Sequence, residues 1–193
     1  MENSILPLIT ELERIYGILA VKYGIKAKQP LITIQTRGRQ KNTLGWFWDK
    51  KWQHDKNEVG EINICAENIN KNPIETLIHE MAHFSNAFEN IKDCNSQQYH
   101  NKKFKERAEA YGLNVEKDGR HGYAITSLSK DTEAYLKTLN INYKLFELVR
   151  KENFSVTALT KMKKFTCGCT IARCATILDA TCKLCGKIFQ EEE

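Results

Sequence analysis

The sequence predicts an α+β chain in two parts: a mixed helix-and-strand domain over residues 1–160 and a small cysteine-bearing module over 161–193. Three observations carry that prediction. An N-terminal helical stripe is followed by three short β-rich runs. Two further helical patterns come next, one holding His79-Glu80-Met81-Ala82-His83 and one opening at His100. Cys167, Cys169, Cys182 and Cys185 then fall in two close pairs near the C-terminus.

From about Ser4 to Tyr23, the residues Ile5, Leu8, Leu12, Ile15 and Leu19 recur at helical spacing, and Gly24 ends the pattern. Leu31 to Thr36, Leu44 to Trp48 and Glu61 to Cys65 read as strands, with Ile62 and Ile64 on one face of the third. Arg37-Gly38-Arg39-Gln40 reads as a turn, and the charged stretch Asp49 to Gly60 as a loop in which His54 is solvated. The strand just before the histidine helix is expected at the sheet edge. Trp46 and Trp48 suit either a cleft wall or core packing.

Ile74, Leu77, Met81, Phe84 and Phe88 form the apolar stripe of the next helix, with Asn72 as its expected cap and Pro73 in its first turn. On that helix His79 and His83, four residues apart, stack on one face and reach toward one metal ion. Glu80 projects about 100° further round the helix. It therefore stands beside such an ion without binding it, placed to take a proton from water. A catalytic metal site takes three protein ligands. His100 is the best third, with Glu106, Glu109 and His121 as rivals. It precedes a pattern of Phe104, Ala108 and Tyr111 that ends at Gly112, and the polar run Asn90 to Gln98 is long enough to fold that helix back on the first.

Leu113 to Leu128 contains a short β-like run, Tyr123 to Thr126. His121 and Tyr123 are candidates for transition-state support, against the reading of this stretch as a surface loop. Asp131 to about Glu152 is helical in pattern, with a break expected at Asn140.

The pairs Cys167-Gly168-Cys169 and Cys182-Lys183-Leu184-Cys185, 12 residues apart, have the spacing of a four-cysteine zinc ribbon. Cys174 is an alternative to Cys167 or Cys169, and Thr170 to Ala180 is the expected hairpin. Cys65 and Cys94 lack partners at ligand spacing and read as ordinary thiols. Between Lys161 and Phe189 stand Lys161, Lys163, Lys164, Arg173, Lys183 and Lys187 against the single acid Asp179. That charge suits phosphate contact, as in DNA, or equally a solvated surface. Glu191 to Glu193 read as an acidic tail.

These residues bear a resemblance to a known family. Thr76 to His83 with its H-E-x-x-H, the later His100-Asn101-x-x-Phe104 and the C-terminal cysteines resemble the SprT-like (Spartan-type) zinc metalloproteases from about residue 5 to residue 189. The resemblance implies a small zincin-like metalloprotease domain followed by a zinc ribbon. It implies one catalytic zinc on His79, His83 and His100, one structural zinc on the ribbon cysteines, and Glu80 as general base. In eukaryotic relatives the substrates are proteins crosslinked to DNA. The chain departs from the family at Asn101, where the family usually has glycine.

At 193 residues with 41 % hydrophobic content, the chain can bury a core, and no apolar run approaches the roughly 20 residues needed to span a membrane. No signal peptide is read, so a cytoplasmic protein with reduced cysteines is expected. The net charge of +5 permits nucleic-acid contact without demanding it. A monomer acting on a protein substrate, with DNA as a further partner and no membrane, is expected. The competing reading is a nucleic-acid-binding zinc-ribbon protein whose H-E-x-x-H site is structural or inactive.

Overall fold

The computed structural model describes residues 4–36, 43–151 and 162–192. The expected turn Arg37 to Gln40, Lys161, Glu152 and the last acid, Glu193, lie outside them. The chain divides into two compact units, Met1–Glu152 and Asn153–Glu193.

In the first unit α1 (Leu6–Tyr23) buries Leu8, Leu12, Ile15, Tyr16 and Leu19. Ile5 is not part of that stripe: it precedes the helix, is 46 % exposed, and contributes its carbonyl to the first turn. Strands β1 (Leu31–Gln35), β2 (Gly45–His54) and β3 (Asn57–Cys65) form one sheet in the order β1-β3-β2. β3 runs parallel to β1 and antiparallel to β2. The expected loop Asp49 to Gly60 is instead a hairpin, turning at Asp55–Lys56 between the paired residues His54 and Asn57. Its strands are mostly exposed on both faces, so no apolar alternation marks them.

The expected edge strand is also corrected. β3 is central, with Ile62 and Ile64 buried on one face and Glu61 and Asn63 buried on the other. The edge beside it is β2.

The next helix, α2 (Pro73–Phe88), lays Ile74, Leu77, Ile78, Met81 and Phe84 into the core. Phe88, in its last turn, is 56 % exposed and falls outside the stripe. Asn72 occupies the cap position in a left-handed conformation, φ 51°, and its side chain makes no capping bond. Then come α3 (Lys102–Ala110) and the hairpin of β4 (Leu113–Asp118) and β5 (Gly122–Leu128). What read as a surface loop with a β-like run is thus a hairpin. The final helical stretch breaks at Asn140, φ 54°, into α4 (Lys130–Lys137) and a 3-10 turn, Tyr143–Glu147. Among the described residues no helix is long and apolar enough to cross a membrane.

The second unit is a three-stranded sheet of β6 (Lys163–Thr166), β7 (Ile171–Cys174) and β8 (Gln190–Glu192) in the order β7-β6-β8. Its β6–β7 hairpin turns through Cys167–Thr170, so only its second strand falls within the expected Thr170 to Ala180. The acidic tail is not loose either. β8 pairs with β6, and Glu191 and Glu192 each stand 2.8 Å from Lys163 and Lys164 respectively.

Truncating the fully buried Leu77 to Ala is expected to destabilise the first unit by about 2–5 kcal/mol, from lost transfer energy and the cavity left behind. Urea unfolding should show a lower midpoint with an unchanged slope.

Candidate metal centre and cleft

One point in the first unit collects three imidazoles. His79 and His83 project from successive turns of α2, their ring centroids 5.1 Å apart. His100 comes from the segment leading into α3. Its Nε2 lies 3.3 Å from Nε2 of His79 and 3.1 Å from Nε2 of His83. Three nitrogens bound tetrahedrally to one ion at about 2.0–2.1 Å would sit about 3.3–3.4 Å apart. The observed spacing is therefore that of a facial metal site. Imidazole sets of this kind suit zinc, copper, iron or nickel. Phe104 lies against all three rings at centroid distances of 4.5–4.6 Å and closes the apolar side.

His100 is positioned by backbone. Its N–H donates to the His121 carbonyl at 2.9 Å, and its own carbonyl accepts from the Tyr123 N–H at 3.1 Å. This close approach of the β4–β5 hairpin requires Gly122. The residue has φ +70°, and a Cβ there would stand 2.2 Å from the His100 oxygen. Asn101, where the resemblance led one to expect glycine, has φ −96° and needs no glycine. Its side chain caps α3 by accepting from the Lys103 and Phe104 N–H groups, and its amide donates to the Lys92 carbonyl at 2.9 Å.

Each ring is also held at Nδ1, which leaves Nε2 for the shared point. His83 Nδ1 bonds the Asp93 carboxylate at 2.9 Å. His100 Nδ1 bonds the His121 carbonyl at 3.2 Å. His79 Nδ1 faces Thr126 Oγ1 at 3.4 Å. The Thr126 hydroxyl donates to Glu75 at 2.9 Å, so only its lone pairs are left for the ring. Asp93 in turn accepts from Asn86 at 2.9 Å, and Asn86 accepts from Arg107 at 3.0 Å. Outer partners of this kind fix ligand tautomer and orientation. Sequence reading missed Asp93 and Thr126. Neither lies at a motif spacing from the histidines, although an acid in the loop between two ligand helices was a visible signal.

The charges agree with the geometry. Burial holds His79 well below the usual imidazole range, with His83 and His100 adding repulsion. Burial likewise brings His100 down to about 4. Burial opposes protonation of His83 too, but its bond to Asp93 together with the negative charges of Glu80 and Asp93 outweighs that and raises its affinity for a proton. Glu80, 6 % exposed, is pushed up to about 7 by burial, against the pull of His83. Among the described residues its carboxylate has no hydrogen-bond partner, and it faces the cleft that holds the histidines.

That cleft, of about 1050 Å³, runs from the histidines, Glu80 and Asp93 along β2, where Trp46, Phe47, Trp48 and Trp52 line it. β2 can pass this close to the helix because its first residue is Gly45. A Cβ there would stand 2.6 Å from both the Asn63 oxygen and Thr76 Cγ2, and 3.6 Å from Glu80 Cγ.

Other candidates lie elsewhere. Glu106 and Glu109 are exposed and pair with Lys103 and Lys105 along α3. His121 acts through its carbonyl. The Tyr123 ring lies under the Lys105 and Lys117 ammonium groups at 5.3 and 5.8 Å, and neither His121 nor Tyr123 lines the cleft. Cys94 does line it.

In the second unit the Sγ atoms of Cys167, Cys169, Cys182 and Cys185 lie within 4.8 Å of one another, with 3.3 Å from Cys167 to Cys169 and 3.6 Å from Cys169 to Cys182. Four thiolates about 2.3 Å from one ion would be separated by about 3.8 Å. Cys174 lies outside the group, beside Thr176. Burial works against ionisation of Cys167, yet the Cys169 N–H and neighbouring thiols bring it down to about 6. The described part of this unit buries only Phe165, Cys167 and Cys182 among its hydrophobic residues, so a metal crosslink suits a module with so little core.

Asp93→Ala should weaken metal binding at the histidines by 10–100-fold, read by chelator competition, while the cysteine site is unchanged. Gly122→Ala should act on the same site by displacing His100. Comparisons of the chain with protein-family models, curated proteins and solved structures find no match.

Proposed function

We propose that the chain is a zinc-dependent endopeptidase of the SprT-like type, with a second, structural zinc in the ribbon. The observation that carries this reading is the meeting of three Nε2 atoms beside a buried carboxylate, without a hydrogen-bond partner among the described residues, in a cleft bordered by an edge strand. A structural metal site has no need of Glu80.

Zinc held by His79, His83 and His100 would supply Lewis acidity, making water nucleophilic near neutral pH and polarising a peptide carbonyl. The chain's own groups do the rest. Glu80 accepts the proton that water gives up and returns it to the leaving amine, and its burial suits it to holding that proton. Asp93, Thr126 and the His121 carbonyl keep the three rings aimed. The outer edge of β2, unpaired among the described residues, pairs with an extended substrate backbone, which gives binding with little dependence on sequence.

Recruitment then selects the substrate. The resemblance favours DNA-associated or DNA-crosslinked proteins, with the ribbon as the recruiting module. Because Lys163 and Lys164 are engaged by Glu191 and Glu192, that role falls to Arg173, Lys183 and Lys187 among the described cations.

Glu80→Gln should retain zinc and lose at least a hundredfold in cleavage of casein or of a DNA-bound protein. Chelation should silence the wild type equally. Cleavage by Glu80→Gln at the wild-type rate would remove the endopeptidase reading.

A further inference from the structure

The tryptophans of this chain number three, and all three stand on β2. Phe47 packs edge-on against Phe84 of α2 at 5.8 Å, so it faces the core side of the sheet. Strand alternation sends Trp46 and Trp48 to the opposite face. Trp52 joins them there, since its indole N–H donates at 2.9 Å to Glu61, the residue paired with Trp48. Glu61 is 2 % exposed and is held further by Thr33 and Gln35. Above this fixed polar floor Trp48 remains 51 % and Trp52 46 % exposed. Lys51 lies 4.9 Å over the Trp48 ring.

The pairing edge of β2 is not continuous. Its register shifts between Trp48 and Trp52, where Lys50 takes φ +50°. A bulge of this kind interrupts regular pairing, which resumes at Trp52. Gly45–Trp48 is the regular run that precedes the bulge, and its Gly45 end lies beside Glu80.

We propose that Trp48, with Trp52 beside it, is a specificity-determining shelf for an aromatic or long aliphatic side chain of an extended polypeptide paired along Gly45–Trp48. This rests on the endopeptidase reading of the same cleft and adds to it a side-chain preference. Trp48 lies three residues from Gly45, about 10 Å along the strand. The preferred side chain is thus roughly two to four residues from the bond that is cut. The shelf is continuous with the cleft wall, and the strand edge supplies main-chain partners that favour a polypeptide over other apolar ligands.

Because all three tryptophans are on β2, their emission reports occupancy directly. The full-length Glu80→Gln chain, loaded with zinc, is titrated with blocked heptapeptides that carry Phe, Gly or Lys at one varied position. The expected result is a saturable emission change and about tenfold tighter binding for Phe than for Gly, the scale of partly burying one aromatic side chain. Trp48→Ala should abolish the Phe preference, and Trp48→Phe should restore most of it. Circular dichroism confirms that both variants fold.

Equal affinity for the three peptides, unchanged emission at saturation, or a Phe preference surviving in Trp48→Ala would overturn the proposal. So would an emission response to oligo(dT) but to none of the peptides. Phe-selective binding without cleavage of any peptide by the wild type would sink the endopeptidase reading and leave the shelf standing. Cleavage without Phe selectivity would do the reverse.

Discussion

The first unit depends on one constraint: three imidazole nitrogens must share a point from two separate segments of chain. α2 supplies two of them through its own periodicity, and the third must be carried in from 17 residues beyond His83. From α3 itself His100 gains the packing of Phe104 against its ring. Its place is set by the hairpin behind it, which bonds its N–H, its carbonyl and its Nδ1. That grip exists because residue 122 is glycine. The network from His83 through Asp93 and Asn86 to Arg107 then ties α2 to the inter-helix loop and to α3. Each ring is thus held at the nitrogen that does not face the shared point. Burial makes His79 and His100 poor proton acceptors, which leaves their nitrogens free for a metal, while Asp93 holds the His83 ring in place.

Much of this was legible because it repeats. The stripes of α1, α2 and α3 recur at the helical period, and the two histidines of H-E-x-x-H recur at the same period on a face of α2 away from its stripe. His100 could be chosen over Glu106 and Glu109 since it stands just before a helix start, whereas the two glutamates fall on the exposed face of α3. What stayed hidden has no period. The β2–β3 hairpin is exposed on both faces, so its charged residues look like loop. The place of β3 at the centre of the sheet follows from burial of Glu61 and Asn63, polar residues that suggest an outer face when read alone. Asp93 and Thr126 act through tertiary contacts that no local spacing encodes.

The second unit solves a different problem. With Phe165 and two cysteines as its buried hydrophobic residues, it has little apolar area to offset chain entropy. Four sulfurs drawn together from two short turns can supply what the core lacks. Its charge is more balanced than the run of lysines suggests, since the acidic end of the chain folds back as β8 beside two of them.

Cobalt(II) titration of the full chain tests the central claim most directly, because nitrogen and sulfur sites give separable absorption bands. The account predicts two ions per chain, one with the bands of a nitrogen site and one with thiolate charge transfer. In His100→Ala the nitrogen-site signal should be lost or greatly weakened and the thiolate signal retained. A His100→Ala chain that still bound two ions as tightly as the wild type, with the same spectrum, would contradict the three-imidazole centre.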